Sequence, residues 1–391
     1  MSFDLRYLFI IFLCSHFTLA CSGNSTKTAT PTQAKNTILF IGDGMGAEHR
    51  KAARWVKAGS KGKLHMDDMP ASGFLNTGSA KNPITDSAAS ATAMSCGVKT
   101  NNGVIGLDSN LSFVPTILEQ AKSRNKRVGL VTTTHITHAT PAAFAAHVAS
   151  RKYMTEIAEQ MLISGVNVLM GGGEDVFIPE TENGCFPGAG KRADQRNLIS
   201  EAIANGYVHV CDSTELNTVD IDTTSHLIGL FADEGMNRPF SPSLAEMTQK
   251  AIELLSKGSQ GFFLMVEAGQ IDWASHDNDA YNTIHDTIGL DEAIGVAQQF
   301  ASIDNNTLII VTADHETGGL RVSYNKSNLP TEDGPFASAD GKLFYVNWAG
   351  THHTSVEVPV TAQGFMSEKL NGQNENTYIH ELIYSTFDTF E

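Results

Sequence analysis

At 391 residues with 41% hydrophobic side chains, the chain is long enough for one large α/β domain or two ordinary ones, and apolar enough to bury a sizeable core. Its formal net charge of −16 argues against nucleic acid as a partner, and it would repel a small anionic substrate too unless something local reverses the field. Bound metal is the obvious source of such a reversal.

The N-terminus reads as a targeting segment. Arg6 precedes an apolar run over 7–13 that continues less purely to Ala20, too short for a comfortable membrane span of roughly 20 residues. Export is the expectation, with a signal peptide over 1–20, a Ser/Thr-rich polar tether over 21–35 and the main folded unit over 36–391. Cys21 directly after Leu19-Ala20 resembles a bacterial lipoprotein cleavage site, although Thr18 stands where that motif usually has Leu. The two readings are a periplasmic protein anchored to a bacterial membrane by a lipid on Cys21, and simple cleavage after Ala20 with release. Of the five cysteines, Cys14 leaves with the signal peptide, and Cys96, Cys185 and Cys211 remain beyond the tether. Cys185 and Cys211 are a permissible disulfide pair in an oxidising compartment.

From Asn36 onward, short apolar runs at 37–41, 127–132, 166–170, 226–231, 261–266 and 307–312 alternate with amphipathic stretches. These lie at 47–58, 114–124, 154–163, 193–204, 244–257 and 283–300. Apolar strands separated by helices predict an α/β fold, a doubly wound, mostly parallel central sheet with helices on both faces. Neither an internal repeat nor a linker interrupts the chain after Lys35, so the expectation is one domain with insertions. In such sheets ligands gather at the carboxyl ends of the strands.

The residues just past each strand are therefore informative. After the first comes Gly42-Asp43-Gly44-Met45-Gly46-Ala47, a formal match to the dinucleotide fingerprint. The match is rejected, because Asp43 would aim a carboxylate at the pyrophosphate; a carboxylate on a glycine-flanked loop is better read as a metal ligand. Asp86, an N-cap type residue, precedes a run of small residues and would put Ser87 in the first turn of a helix, at the positive end of its dipole. The stretch Thr133 to Pro141 carries His135 and His138 and reads as a polar loop closed by proline. Further on, Glu267 ends a strand, and Asp272 and His276 are four apart, which would place them on one helix face suited to chelation. Asp314-His315-Glu316 comes after the last apolar run, and His352-His353 lies near the end. Any one of these groups could be a solvated loop charge; three acid-bearing strand ends with histidines close by are hard to explain that way.

In this company the chain resembles the bacterial alkaline phosphatases, metal-dependent phosphomonoesterases, from about Asn36 to the C-terminus. The resemblance rests on Asp43-Gly44-Met45-Gly46, Asp86-Ser87-Ala88, His138-Ala139-Thr140-Pro141 and the segment from Ala146 to Lys152. It extends through Val266-Glu267 with Ile271-Asp272, Ala313-Asp314-His315-Glu316-Thr317-Gly318 and His353-Thr354, in the family's order. It implies that 36–391 is a catalytic domain with two Zn²⁺ and one Mg²⁺. One zinc would be held by Asp272, His276 and His353, the second by Asp43, Asp314 and His315 and shared with Ser87, and the Mg²⁺ by Thr140, Glu267 and a bridging Asp43. Four carboxylates against the six positive charges of three divalent ions leave such a site net positive inside an acidic protein.

The same resemblance implies the chemistry. Ser87 would attack phosphorus to form a phosphoserine, one metal activating the serine and the other stabilising the leaving alkoxide and activating water. Arg151 would hold two phosphate oxygens with its planar fork. Two positions depart from the best-known pattern. His138 stands where some members carry Asp and is a further candidate for the third metal site, and Trp273 stands where some carry Lys and is either packing or a border of the substrate phosphate. Small phosphate monoesters are the implied substrates and a homodimer the implied assembly. A sulfatase would need a Cys/Ser-x-Pro-x-Arg motif, which the residues from Ser87 lack. A phosphodiesterase or phosphonate hydrolase of the same superfamily, and a non-catalytic exported metal- or phosphate-binding lipoprotein, are the alternatives.

Overall fold

The computed structural model describes residues 34–387. The expected signal peptide, Cys21 and almost the whole expected tether fall outside the described residues.

In chain order the strands are β1 (Asn36–Gly42), β2 (Ala71–Asn76), β3 (Arg127–His135), β4 (Val168–Gly172), β5 (Tyr207–Val210), β6 (His226–Leu230), β7 (Phe262–Ala268) and β8 (Thr307–Thr312). They continue with β9 (Glu316–Thr317), β10 (Arg321–Ser323), β11 (Glu332–Ala337), β12 (Leu343–Asn347), β13 (His353–Thr354), β14 (Val358–Gln363) and β15 (Gly372–Glu375). The helices are α1 (Ala47–Ala58), α2 (Ser87–Cys96), α3 (Ile117–Ser123), α4 (Ala139–Ala145), α5 (Met154–Ile163) and α6 (Leu198–Ala204). After them come α7 (Ser213–Thr218), α8 (Leu244–Leu255), α9 (Gln270–His276), α10 (Ala280–Asp304) and α11 (Tyr378–Phe387).

Ten strands make the central sheet, in the order β15-β2-β14-β8-β1-β7-β3-β4-β6-β5. It is parallel except at β14, which runs antiparallel to both β8 and β2. Every residue of β1, β7 and β8 is buried, which explains their unbroken apolar runs: a parallel strand covered by helices on both faces has no polar side. One helical layer is formed by α1, α8, α9 and α10; α2, α3, α4 and α11 pack together in another, and both layers touch β7. The predicted α/β sheet is thus the observed one.

Differences from the predicted elements have local causes. Strand β3 runs on to His135 and the supposed loop after it becomes α4, with Pro141 in the first turn, where no intrahelical N–H partner is needed. The helix expected from residue 193 begins at Leu198, because the Asn197 side chain caps it by accepting from Ser200 N at 2.9 Å. Strands β2, β14 and β15, and a small sheet β10-β12-β11, were not predicted; their sequences alternate or are polar and lack the long apolar signature. The sulfurs of Cys185 and Cys211 are bonded, and Cys96 is a buried free thiol.

Candidate metal centre and nucleophile

Strands β3, β7, β1 and β8 lie side by side, so the loops leaving their carboxyl ends converge. The loop after β1 turns at Gly44 with φ of 73°, where a Cβ would stand 2.8 Å from Thr317 Oγ1 and 3.0 Å from Asp272 Oδ1. Glycine thus serves here for a close approach to side chains. The Gly44 N–H donates to Asp314 Oδ1 at 3.1 Å, which draws the ends of β1 and β8 together.

Ser87 begins α2. Asp86 caps this helix by accepting from Ala89 N at 3.0 Å, and its other oxygen accepts from Gly103 N at 2.9 Å and from Arg151 Nη1 at 3.2 Å. All ten residues of α2 are buried, so its run of Ala, Ser and Thr reflects close packing against α4. Ser87 Oγ lies 3.4 Å from Asp43 Oδ2 and 3.3 Å from His315 Nε2.

Three groups of ligand-type atoms, each within 4.8 Å of one another, adjoin this serine: Asp272, His315 and His353; Asp43, Asp314 and His315; and Asp43, His138 and Glu267. His276 joins the first through Nε2, 3.3 Å from Asp272 Oδ2 and 3.1 Å from His353 Nε2. The far nitrogens settle the tautomers. His276 Nδ1 is 2.6 Å from Thr351 O and His353 Nδ1 is 2.9 Å from Thr85 O, and a carbonyl can only accept, so each Nδ1 carries the proton. Thr317 Oγ1 donates to Asp272 Oδ1 at 2.5 Å and therefore accepts from His315 Nδ1 at 3.2 Å. In their neutral forms all three imidazoles thus turn a bare Nε2 lone pair inward, towards carboxylate oxygens. That is the orientation of metal-binding histidines, whose other nitrogen donates outward.

The oxygens point the same way. Asp43 Oδ1, Asp314 Oδ2, Glu267 Oε1 and Thr140 Oγ1 are buried without a hydrogen-bond partner. Glu267 Oε2 accepts from Thr132 and, at 3.4 Å, from Thr134. Burial, together with Asp314, Asp272 and Glu267, pushes the Asp43 carboxyl well above its ordinary range, and burial with Asp272 pushes Asp314 up to about 7. At Asp272 burial acts the same way but is outweighed by hydrogen bonds from His276 and His353, which hold it well below that range. The bond to Asp272 raises His276 to about 9, whereas burial lowers His315. Crowded carboxylates that resist ionisation are what a cation site looks like to its ligands alone.

His138, just before α4, has Nδ1 4.0 Å from Asp43 Oδ2 and 3.9 Å from Glu267 Oε1, while Arg151 Nη2 donates to its Nε2 at 2.9 Å. Arg151 is therefore shared between Asp86 and His138. The Trp273 ring on α9 stands 6.0 Å from His138 and 6.1 Å from His135, forming a wall beside them. His353 is half-buried and His352, just before β13, is exposed. Ser87, Arg151, Trp273 and the predicted ligands other than Thr140 meet in this one region, and Thr140 lies on α4 with its hydroxyl buried and unpartnered. Sequence reasoning missed Thr317, which bridges Asp272 and His315, and the threonines supporting Glu267; nothing marks a threonine beforehand as a partner of a ligand.

Known proteins share this arrangement of the chain. The family model described as "Alkaline phosphatase" matches residues 34–345. Alkaline phosphatase 3 of Bacillus subtilis is 33% identical over 93% of the chain and 91% of its own length, and the Escherichia coli alkaline phosphatase 35% identical over 90% and 85%. Among solved structures, alkaline phosphatase from the Antarctic bacterium TAB5 superposes with a TM-score of 0.79 at 33% identity, covering 91% of this chain and 98% of that one. A histidine-to-aspartate mutant of the same enzyme is described with Mg bound in the M3 site. The chain therefore belongs to the alkaline phosphatase family and is an enzyme of that metal-dependent group, which hydrolyses phosphate monoesters.

Proposed function

We propose that the chain converts phosphate monoesters to an alcohol and inorganic phosphate at alkaline pH through a phosphoserine on Ser87. The observation that carries this reading is the placement of Ser87 Oγ, at the capped N-terminus of α2 and within 3.4 Å of both Asp43 and His315. A serine there meets an anion at the positive end of a helix and beside the ligand clusters.

The donor set fits divalent metals, since carboxylate oxygens stand orphaned and Nε2 lone pairs turn inward. Asp272, His276 and His353 would hold one Zn²⁺, and Asp43, Asp314 and His315, beside Ser87, a second. Asp43, Thr140 and Glu267 offer oxygens alone, the set a Mg²⁺ prefers. Such ions, when bound, lower the pKa of a serine hydroxyl and of water and neutralise charge on a leaving oxygen.

The chain's own residues supply the rest. His315 Nε2 and Asp43 Oδ2 both accept from the Ser87 hydroxyl in the metal-free protein, and the same lone pairs would be given to a bound ion, which would leave the hydroxyl proton without an acceptor there and favour its loss. Arg151 clamps two phosphate oxygens, leaving His138 as it does so. His138 cannot offer Nδ1 to a cation while Arg151 donates to Nε2, because a neutral imidazole then keeps its proton on Nδ1. Its first role is thus to park Arg151, and Trp273 limits the space above both.

Export belongs to the same proposal, with a leader over 1–20, a tether over 21–35, the catalytic domain over 36–391 and a lipid on Cys21. None of the described helices is long and apolar enough to cross a membrane. A homodimer is proposed from the family resemblance.

The test is turnover of p-nitrophenyl phosphate and bis(p-nitrophenyl) phosphate by metal-loaded protein, before and after chelation. The expected outcome is rapid, chelator-sensitive hydrolysis of the monoester and slow hydrolysis of the diester. Preference for the diester would favour the phosphodiesterase alternative.

A further inference from the structure

The helix that carries Ser87 is pinned to the loop that carries Asp314 by one hydroxyl, and a side chain from near the C-terminus aims that hydroxyl. Ser90, about one turn along α2 from Ser87, donates Oγ–H to the main-chain carbonyl of Asp314 at 2.6 Å. Asn376, directly after β15, donates from Nδ2 to Ser90 Oγ at 2.9 Å. Ser90, Asn376 and Asp314 are fully buried. The directions are forced: a carbonyl only accepts, so the single Ser90 proton is committed to Asp314, and Ser90 can only accept from Asn376.

A serine inside a helix has another choice, which is to turn back onto the carbonyl four residues earlier. Here that carbonyl is Asp86 O, which already takes the Ser90 N–H at 3.1 Å. The Asn376 donor occupies the lone-pair side of Ser90 and keeps its proton on Asp314. Asn376 is itself fixed, its N–H donating to Asn76 O at 3.1 Å and its carbonyl accepting from Ile379 N at 3.3 Å. Its Oδ1 has no partner, so the bond to Ser90 is what the amide group does. On the far side, Asp314 Oδ1 is held by Gly44 N at 3.1 Å and His315 N at 2.9 Å, so a shift of this loop carries the unpartnered Oδ2 with it.

We propose that Asn376, acting through Ser90, is a positioning residue: the chain Asn376–Ser90–Asp314 sets the separation between the nucleophile's helix and the loop that ligates metal beside it. The inference rests on the roles proposed for Ser87 and Asp314. It makes the segment after β15, remote in sequence from every motif, part of the catalytic apparatus.

The test is a double-mutant cycle on Ser90→Ala and Asn376→Leu, the leucine keeping the volume and removing the donor. Four quantities are read on the zinc-loaded protein: the rate of zinc loss to excess chelator, kcat, KM and the thermal midpoint. Each single variant should lose zinc about tenfold faster and lose kcat by a similar factor with KM unchanged, the scale of one hydrogen bond. The double variant should be no worse than Ser90→Ala alone. Multiplying losses, or a lower thermal midpoint with zinc loss and kcat untouched, would overturn the proposal. Should Ser90→Ala not fold, Asn376→Leu against the parent decides, and parental zinc loss there also overturns it. A parent that takes up no zinc refutes the site assignment instead.

Discussion

Thr317→Val isolates the link between the two histidine-bearing clusters. The hydroxyl donates to Asp272 Oδ1 at 2.5 Å and accepts from His315 Nδ1 at 3.2 Å, and the residue is fully buried. Valine keeps the shape, so packing is conserved while His315 loses its acceptor and Asp272 one of its donors. A buried group left without its partner costs about 1–3 kcal/mol, and that cost falls on His315, since Asp272 keeps its bonds from His276 and His353, so the metal-free protein should lose roughly 2 kcal/mol. In the loaded protein, losing an outer partner that fixes a ligand's tautomer typically weakens metal binding by about 10–100-fold. Competition with a chromogenic chelator measures the zinc affinity, and a thermal melt of the metal-free form measures the stability. Thr317→Ser, which keeps the hydroxyl, should bind as the parent does. Parental zinc affinity and parental melting in Thr317→Val would refute the argument that this hydroxyl sets the orientation of His315.

The same geometry has other consequences. Arg151→Ala should slow a monoester more than a diester, since a diester has one fewer charged oxygen to clamp; equal losses in kcat/KM would count against the clamp. His353→Ala should leave less than the full zinc complement by elemental analysis, whereas His138→Asp should keep both zincs and change the response to Mg²⁺, and the reverse pattern would redraw the site. In the metal-free protein, Asp314 near 7 and His276 near 9 are both raised above their unfolded values, 3.8 and 6.5. Their stabilising contributions are complete below those unfolded values and are lost as pH rises from each unfolded value through the folded one, so the metal-free form should melt progressively lower from about pH 4 to 9. Zinc replaces those protons, so the gap in thermal midpoint between loaded and metal-free forms should widen over the same range; a constant gap would contradict the assignment of these groups as ligands.

The fold was legible where burial is two-sided. The runs at 37–41 and 307–312 read as strands because β1 and β8 have no polar face, and α1 and α5 matched their periodic stretches end to end. Strands β2 and β15 were invisible because β15 is the sheet's edge and β2 lies beside it with much of its length exposed, so the apolar signal breaks up. At the site, carboxylates and histidines announced themselves by sitting just past strand ends. Their partners did not: Thr317, Thr132 and Ser90 act through hydroxyls, and a hydroxyl in a sequence gives no hint of what it faces. The link between Arg151 and His138 was likewise hidden, since it depends on α4 replacing an expected loop.

The most direct test of the central claim is to quench the loaded enzyme with acid during turnover of a ³²P-labelled monoester and map the label by peptide mass spectrometry. The account predicts phosphate on Ser87, in the peptide spanning the start of α2, and neither label nor turnover in Ser87→Ala, whose fold should be unchanged by circular dichroism. Phosphate on a different residue, or near-parental turnover by Ser87→Ala, would contradict it.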